Sequence, residues 1–453
     1  MGNGNALREL FHPGPLLRAL QCKKSNRLAV LDGVRSLALL WVLQLHAWGH
    51  ITRFRNCERL DEIHTQWWSQ FLVTGSLGVH MFFVLSGLLI AKSYLRLKAF
   101  RDASSSFLSG YVRFLLRRFF RIWPMVILAV ISLLIREKDA WRDGSGWAYV
   151  FLVPNLALQC LTGDWAMLGH LWTIGAEMQM YILTPLVCEL LSRRPGLLLG
   201  LGSLCCVLLR AFWIYGPFHQ SWEQARKWPF PFFYYDPLSN ISAYLSGMAL
   251  CLALEDRQER MPPIRRTVLD LLALAGMLGS AFCGVWHCGG AYVDTDLRDL
   301  GQMVIPPIFG WCVARGIFCT VVSESYDPWS LASLILSSKV WESIALLSYA
   351  AYVMQLWPVY ALQDLRTLWD CEVYEGLASA LGAHFATYFL FVFGCLLVAV
   401  PCHLLLEMPG GGLANKRRQV KKGPWNRQLY VMQGTSGRLY GRCARKHAPH
   451  LIC

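Results

Sequence analysis

The feature that most constrains this chain is a recurring apolar stretch of about 20 residues, the length a helix needs to cross the hydrocarbon of a bilayer. Such stretches fall near residues 33–51, 71–91, 115–135, 171–191, 196–215, 238–254, 268–286, 301–322, 342–362 and 382–406. Residues 147–161 are also apolar, but this run is short and interrupted by Pro154, so it reads as a re-entrant or surface segment. Composition agrees: 55% of the 453 residues are hydrophobic and only 16% are charged. Soluble domains carry about 25% charged residues. The expected fold class is therefore all-α, a polytopic membrane helical bundle with about ten transmembrane helices.

Charge placement sets the expected orientation. With Lys23, Lys24 and Arg27 inside, the cluster Arg96 to Arg121, the pair Arg193-Arg194 and the run Arg257 to Arg266 also fall inside. The acidic loops holding Asp294, Asp296 and Asp299, and then Asp364, Asp370, Glu372 and Glu375, fall outside. This satisfies the positive-inside rule with both termini cytoplasmic. Counting 147–161 as a crossing would invert everything after it. The expected organisation is a cytoplasmic segment 1–26, a membrane domain 27–410 and a basic cytoplasmic tail 411–453. No cleavable signal peptide is expected in the first 27 residues, and Ala6 stands where a myristoylation signal wants Ser or Thr. The formal net charge of +14 is accounted for by topology and anionic lipid, so no nucleic-acid partner is expected. Most of the 16 cysteines lie inside apolar stretches and no Cys/His spacing suits zinc, so no metal is expected. A bridge among Cys57, Cys288 and Cys371 is open if their loops face an oxidising side. No period of 20–50 residues recurs, and no matched pair of broken helices is visible in the two halves.

Four stretches carry ionisable groups where a membrane helix can ill accommodate them. In the first, Arg35 and His46 are eleven residues apart, so they share one helical face about 16 Å apart along the axis. As architecture, Arg35 snorkels to a surface and His46 hydrogen-bonds in the bundle. As chemistry, Arg35 grips an anion and His46 acts as a base deeper in. The second stretch, Gly78 to Ile90, carries Ser86-Gly87, small residues suited to close helix approach, and His80, which reads equally as an interface residue. In the third, Arg113, Arg117 and Arg121 recur every four residues beside Arg118. That face either sets topology or binds phosphate oxygens through guanidinium forks. The fourth puts His170, Glu177 and Tyr181 near one face, where a carboxylate inside a span needs a partner.

Taken in order, these stretches resemble membrane-bound acyltransferase family 3, which includes polysaccharide O-acetyltransferases and the nose-resistant-to-fluoxetine proteins. Leu31 to His46 is similar to the family's Leu-Asp-Gly-x-Arg followed by His. Gly78 to Gly87 matches Gly-Val-Asp-x-Phe-Phe-x-x-Ser-Gly except for His80 in place of Asp. Arg117 to Pro124 matches Arg-Arg-x-x-Arg-Ile-x-Pro, and His170 to Tyr181 matches the His-Leu-Trp stretch with Thr173 for Ser and Met178 for a second Glu. Leu347 to Gln355 resembles Ser-Tyr-x-x-Tyr-Leu-x-His, with Gln355 where His is usual. Glu407-Met408-Pro409 resembles the closing Glu-x-Pro. Tyr234 to Gly247 resembles the nose-resistant branch, with Asn240 where Arg is frequent.

The resemblance implies an integral, multi-pass O-acyltransferase with no bound cofactor, taking cytoplasmic acyl-CoA as co-substrate. The acyl group implied is acetyl in the first instance. The acceptor is a hydroxyl of a glycan, lipid or small molecule. It assigns His46 and Glu177 to catalysis, the Glu177 carboxylate orienting the imidazole. Arg35, Arg113, Arg117, Arg118 and Arg121 would hold the donor. His170, Tyr181 and Ser86 are left for the acceptor or the oxyanion. Direct transfer and an acyl-His46 intermediate both remain open. Rival readings are a proton-coupled transporter, or an inactive family member serving as a scaffold.

Overall fold

The computed structural model describes residues 29–48, 66–99, 107–137, 146–157, 168–191, 194–216, 232–256, 263–282, 295–322, 329–364 and 377–407. The flanking segment 1–26, the tail 411–453 and the three cysteines 57, 288 and 371 lie outside these residues. Among the described residues all regular structure is helical. The helices are α1 (Ala29–His46), α2 (Ser76–Ala99), α3 (Phe107–Arg136), α4 (Trp172–Leu191), α5 (Pro195–Tyr215), α6 (Ile241–Asp256), α7 (Pro263–Phe282), α8 (Thr295–Val322), α9 (Trp329–Leu336), α10 (Lys339–Val353), α11 (Leu356–Asp364) and α12 (Leu377–Cys402).

Seven of the described helices are long and apolar enough to cross a membrane, among them α1 to α5 and α8. Two shorter apolar helices, Leu238–Leu254 and Thr267–Phe282, coincide with two further expected crossings. The stretch expected as one span over 342–362 is instead a broken one. Helices α10 and α11 meet at 76°. Pro358 supplies the reason: its ring lacks an N–H and clashes with the carbonyl four residues back, at Met354. Residues 147–157 form two single turns, Trp147–Val150 and Pro154–Ala157, in place of a span.

The unit Met1–Cys402 is built around α6, which packs against α2, α5 and α8, while α1 packs against α2 and α10. Two glycines permit the tightest of these contacts. A Cβ on Gly87 would run into the Tyr244 carbonyl, and one on Gly247 into the Val84 carbonyl, so α2 and α6 approach backbone to backbone. The outer faces are apolar at helical spacing, as at Phe389, Phe393 and Leu397 on α12 and Leu201, Leu204 and Leu208 on α5. Exposed apolar ridges combined with backbone bonding closed within each helix suit lipid as the solvent. This is an integral multi-pass membrane protein.

Candidate active site

Helices α1, α2, α3, α4 and α10 enclose a cavity of about 160 Å³. Three guanidiniums, those of Arg35, Arg118 and Arg121, line it together with the carboxylate of Glu177. Ser86, Thr173, Tyr181, Ser348, Tyr349 and Tyr352 add hydroxyls, and the remaining wall is aliphatic and aromatic, from Val79 to Ile90 on α2 and at Ile122 and Ile174. Cations outnumber the carboxylate, so the chamber favours an anionic guest that also presents apolar surface.

Inside it, a short polar chain joins α2 to α4. The Ser86 hydroxyl donates to the Glu177 carboxylate. Its oxygen stands 3.1 Å from the Tyr181 hydroxyl, which then donates to it, because Ser has one proton to give. Arg118 donates to the Ser93 hydroxyl at 2.6 Å and lies over the Phe114 ring at 5.8 Å. The α3 arginines therefore divide. Arg118 and Arg121 line the cavity, whereas Arg113 and Arg117 do not; of the four only Arg118 is not exposed. Spacing by four does put Arg113, Arg117 and Arg121 along one side of α3, but the bundle-facing side is turned toward Arg118.

The opposite end of α1 is tied to the broken helix. His46 is half-buried, and its Nδ1 lies 2.6 Å from Gln355 Oε1. Its ring is 6.0 Å from His170 and 6.5 Å from Tyr352. The break leaves backbone carbonyls at the end of α10 without a helical partner, and His170 Nε2 donates to that of Val353 at 3.3 Å. Tyr352 returns the tie, donating to the His170 carbonyl at 2.5 Å and meeting the Thr173 hydroxyl at 2.9 Å. Tyr352 thus forms the wall between the cavity and the pair of histidines. Glu177, expected at His46, is engaged with Ser86, and Gln355 stands at Nδ1 instead. Sequence reasoning had Gln355 only as a departure from a motif. Pro358, three residues on, was the signal that the chain turns there.

His80, which read equally as an interface residue, is fully buried against Phe83 with its Nδ1 3.4 Å from the Ser76 carbonyl, and Asn240 is a neighbour. Asn240 in turn accepts from Arg210 at 2.8 Å. Two motif departures therefore meet in one place, beside an arginine that lies in none of the motifs.

The acyltransferase domain family matches residues 28–407. The "Regulator of hypoxia-inducible factor 1" of Caenorhabditis elegans is 29% identical over 231 residues, covering 45% of this chain and 44% of that protein. "Nose resistant to fluoxetine protein 6" of the same organism is 21% identical over 444 residues, 86% of this chain and 52% of the relative. A putative O-acetyltransferase of Staphylococcus aureus is 29% identical over 180 residues, 36% of this chain and 25% of that protein. The chain thus spans about half, or less, of the length of these curated relatives. No solved structure matches it. With the match running through every helix that builds the cavity, this chain belongs to the acyltransferase domain family.

Proposed function

We propose that this chain is a membrane O-acyltransferase that moves an acyl group, acetyl in the first instance, from cytoplasmic acyl-CoA to a hydroxyl of a glycan, lipid or small molecule. The observation that supports this reading is one chamber lined by three guanidiniums and by Tyr352, whose ring lies 6.5 Å from a histidine held by a hydrogen bond. Arg118 and Arg121, with Arg35, hold the phosphates of the donor. The pantetheine arm runs along the apolar wall of α2 and brings its thioester toward His46. His46 takes the proton of the acceptor hydroxyl as that oxygen attacks the thioester carbonyl. The C–O bond forms, the C–S bond breaks, and the imidazolium returns the proton to the leaving thiolate. Glu177 holds Ser86 and Tyr181 in line and offsets the charge of Arg118.

In this reading the chain crosses the membrane about ten times. The long helices, the bent pair and the two shorter apolar helices each make one crossing, and the arginines of α3 are cytoplasmic. The test is release of labelled acetyl from acetyl-CoA in purified membranes, wild type against His46→Ala. General-base catalysis supplies about 10²–10⁴-fold, so turnover falls by that much or more in the variant while its melting temperature holds. Normal turnover in His46→Ala rejects the mechanism. Absence of acyl-CoA consumption by the wild type, with hydroxyl acceptors of all three classes supplied, favours transport or scaffolding.

A further inference from the structure

The broken end of α10 sets Gln355 against the His46 imidazole, Oε1 to Nδ1 at 2.6 Å. An amide oxygen carries only lone pairs, so Nδ1 holds the proton and donates, and the lone pair of the neutral ring is left on Nε2. Gln355 is 3% exposed, and its amino group is buried with no partner among the described residues. Burying an amide with one end unmet is costly, and the bond that this side chain secures is the one to His46. Gln355 lies in the break between α10 and α11, where they bend by 76°.

Among the described residues, the rings and hydroxyls near His46 have bonds of their own. His170 gives Nε2 to the Val353 carbonyl, and Tyr352 gives its hydroxyl to the His170 carbonyl. On α12, His384 meets Gln44 at 2.6 Å and packs edge-on to Trp48. Among the described residues, the charged groups Arg35 on α1 and Glu177 on α4 line the cavity beyond Tyr352.

We propose that Gln355 is the positioning residue of His46: it fixes the Nδ1–H tautomer and presents Nε2 as the base, as a carboxylate does in triads, but without adding a charge. This rests on the reading of His46 as the base.

The experiment uses the full chain with ¹⁵N-labelled histidine in lipid nanodiscs, the His46 signals being assigned by their loss in His46→Ala. In the wild type at high pH, Nδ1 is expected as the protonated nitrogen and Nε2 as the bare one; the reverse tautomer overturns the proposal. In Gln355→Glu the carboxylate favours imidazolium, so the midpoint of the His46 titration rises by about one pH unit or more. The acid limb of the acetyl-CoA turnover profile rises with it. A midpoint that stays put in the folded variant overturns the proposal. Gln355→Leu is expected to lower kcat roughly tenfold or more with the donor KM unchanged, and Gln355→His to recover most of it. A loss confined to KM counts against positioning. A dead His46→Ala together with the wrong tautomer rejects the role of Gln355 alone. A fully active His46→Ala together with the expected tautomer rejects the base alone.

Discussion

Arg210 and Arg118 both reside in membrane helices, and the structure treats them in opposite ways. Arg210 on α5 has no exposed surface. It donates to the Ser239 carbonyl at 2.9 Å, the Gln302 carbonyl at 2.9 Å and the Asn240 side chain at 2.8 Å, with the Phe233 ring 4.9 Å away. Its fork is spent on binding α5 to the start of α6 and to α8. Arg118 gives one bond to Ser93 and shares a cavity with Arg35, Arg121 and Glu177. A buried guanidinium whose donors end on the protein's own carbonyls is a tie. One that lines a chamber beside other cations is placed to meet a guest. The residue type is the same in both, and what separates them is where the donors point.

The largest effect expected from this contrast is at the tie. Arg210→Leu abandons three buried acceptors; the Ser239 carbonyl keeps the Cys206 thiol, and the other two cost about 1–3 kcal/mol each when left without a donor. The variant should lose its cooperative thermal transition in detergent or show it many degrees lower. Arg210→Lys should not restore it, because an ammonium cannot span three acceptors placed for a planar fork. A wild-type melting curve for either variant breaks the comparison from the structural side.

From the other side, Arg118→Ala and Arg121→Ala should leave the melting curve close to wild type and act on the donor. A charge-assisted bond to phosphate contributes about 1.5–3 kcal/mol, so donor KM should rise about tenfold or more for each. Labelled acetyl-CoA turnover at varied donor concentration measures this. If instead both variants melt early and those that fold keep donor KM, the cavity arginines are ties like Arg210.

The fold was legible to the extent that length and apolarity decide it. Each expected crossing other than 342–362 coincides with one helix among the described residues, because backbone groups in hydrocarbon can be satisfied only within a helix or a closed barrel. What periodicity does not carry is a bend, and beyond Glu342 at its start the stretch 342–362 has no charge or glycine to mark one. Pro358 marks it, yet prolines also sit inside unbroken spans here, Pro124 in α3 and Pro306-Pro307 in α8, so a proline alone does not decide. The site was legible as residue types on helical faces: Arg35, Ser86, Glu177 and Tyr181 do meet. Partnership was not. Glu177 bonds to Ser86 and Gln355 to His46, because which side chains touch across helices depends on crossing geometry that no single helix encodes. Arg210 lay outside every motif for the same reason, since its acceptors are carbonyls brought from two other helices.

Arg113 gives the smallest effect and the sharpest use of the contrast. It lies one turn before Arg117 and two before Arg121, so by sequence it belongs to the same phosphate-binding face. By structure it is exposed and not among the cavity's lining residues. A surface cation near the expected cytoplasmic face contributes to orientation and to anionic lipid at about 1 kcal/mol, and little to a ligand held elsewhere. Arg113→Ala should therefore change donor KM less than about twofold, because exposed charges are screened by solvent and salt. Its measurable consequence should be weaker association with anionic lipid, read by native mass spectrometry in mixed micelles. A donor KM as damaged as in Arg121→Ala would mean that the donor's phosphates reach out of the chamber along α3. The guest would then be held at the membrane surface as much as between the helices.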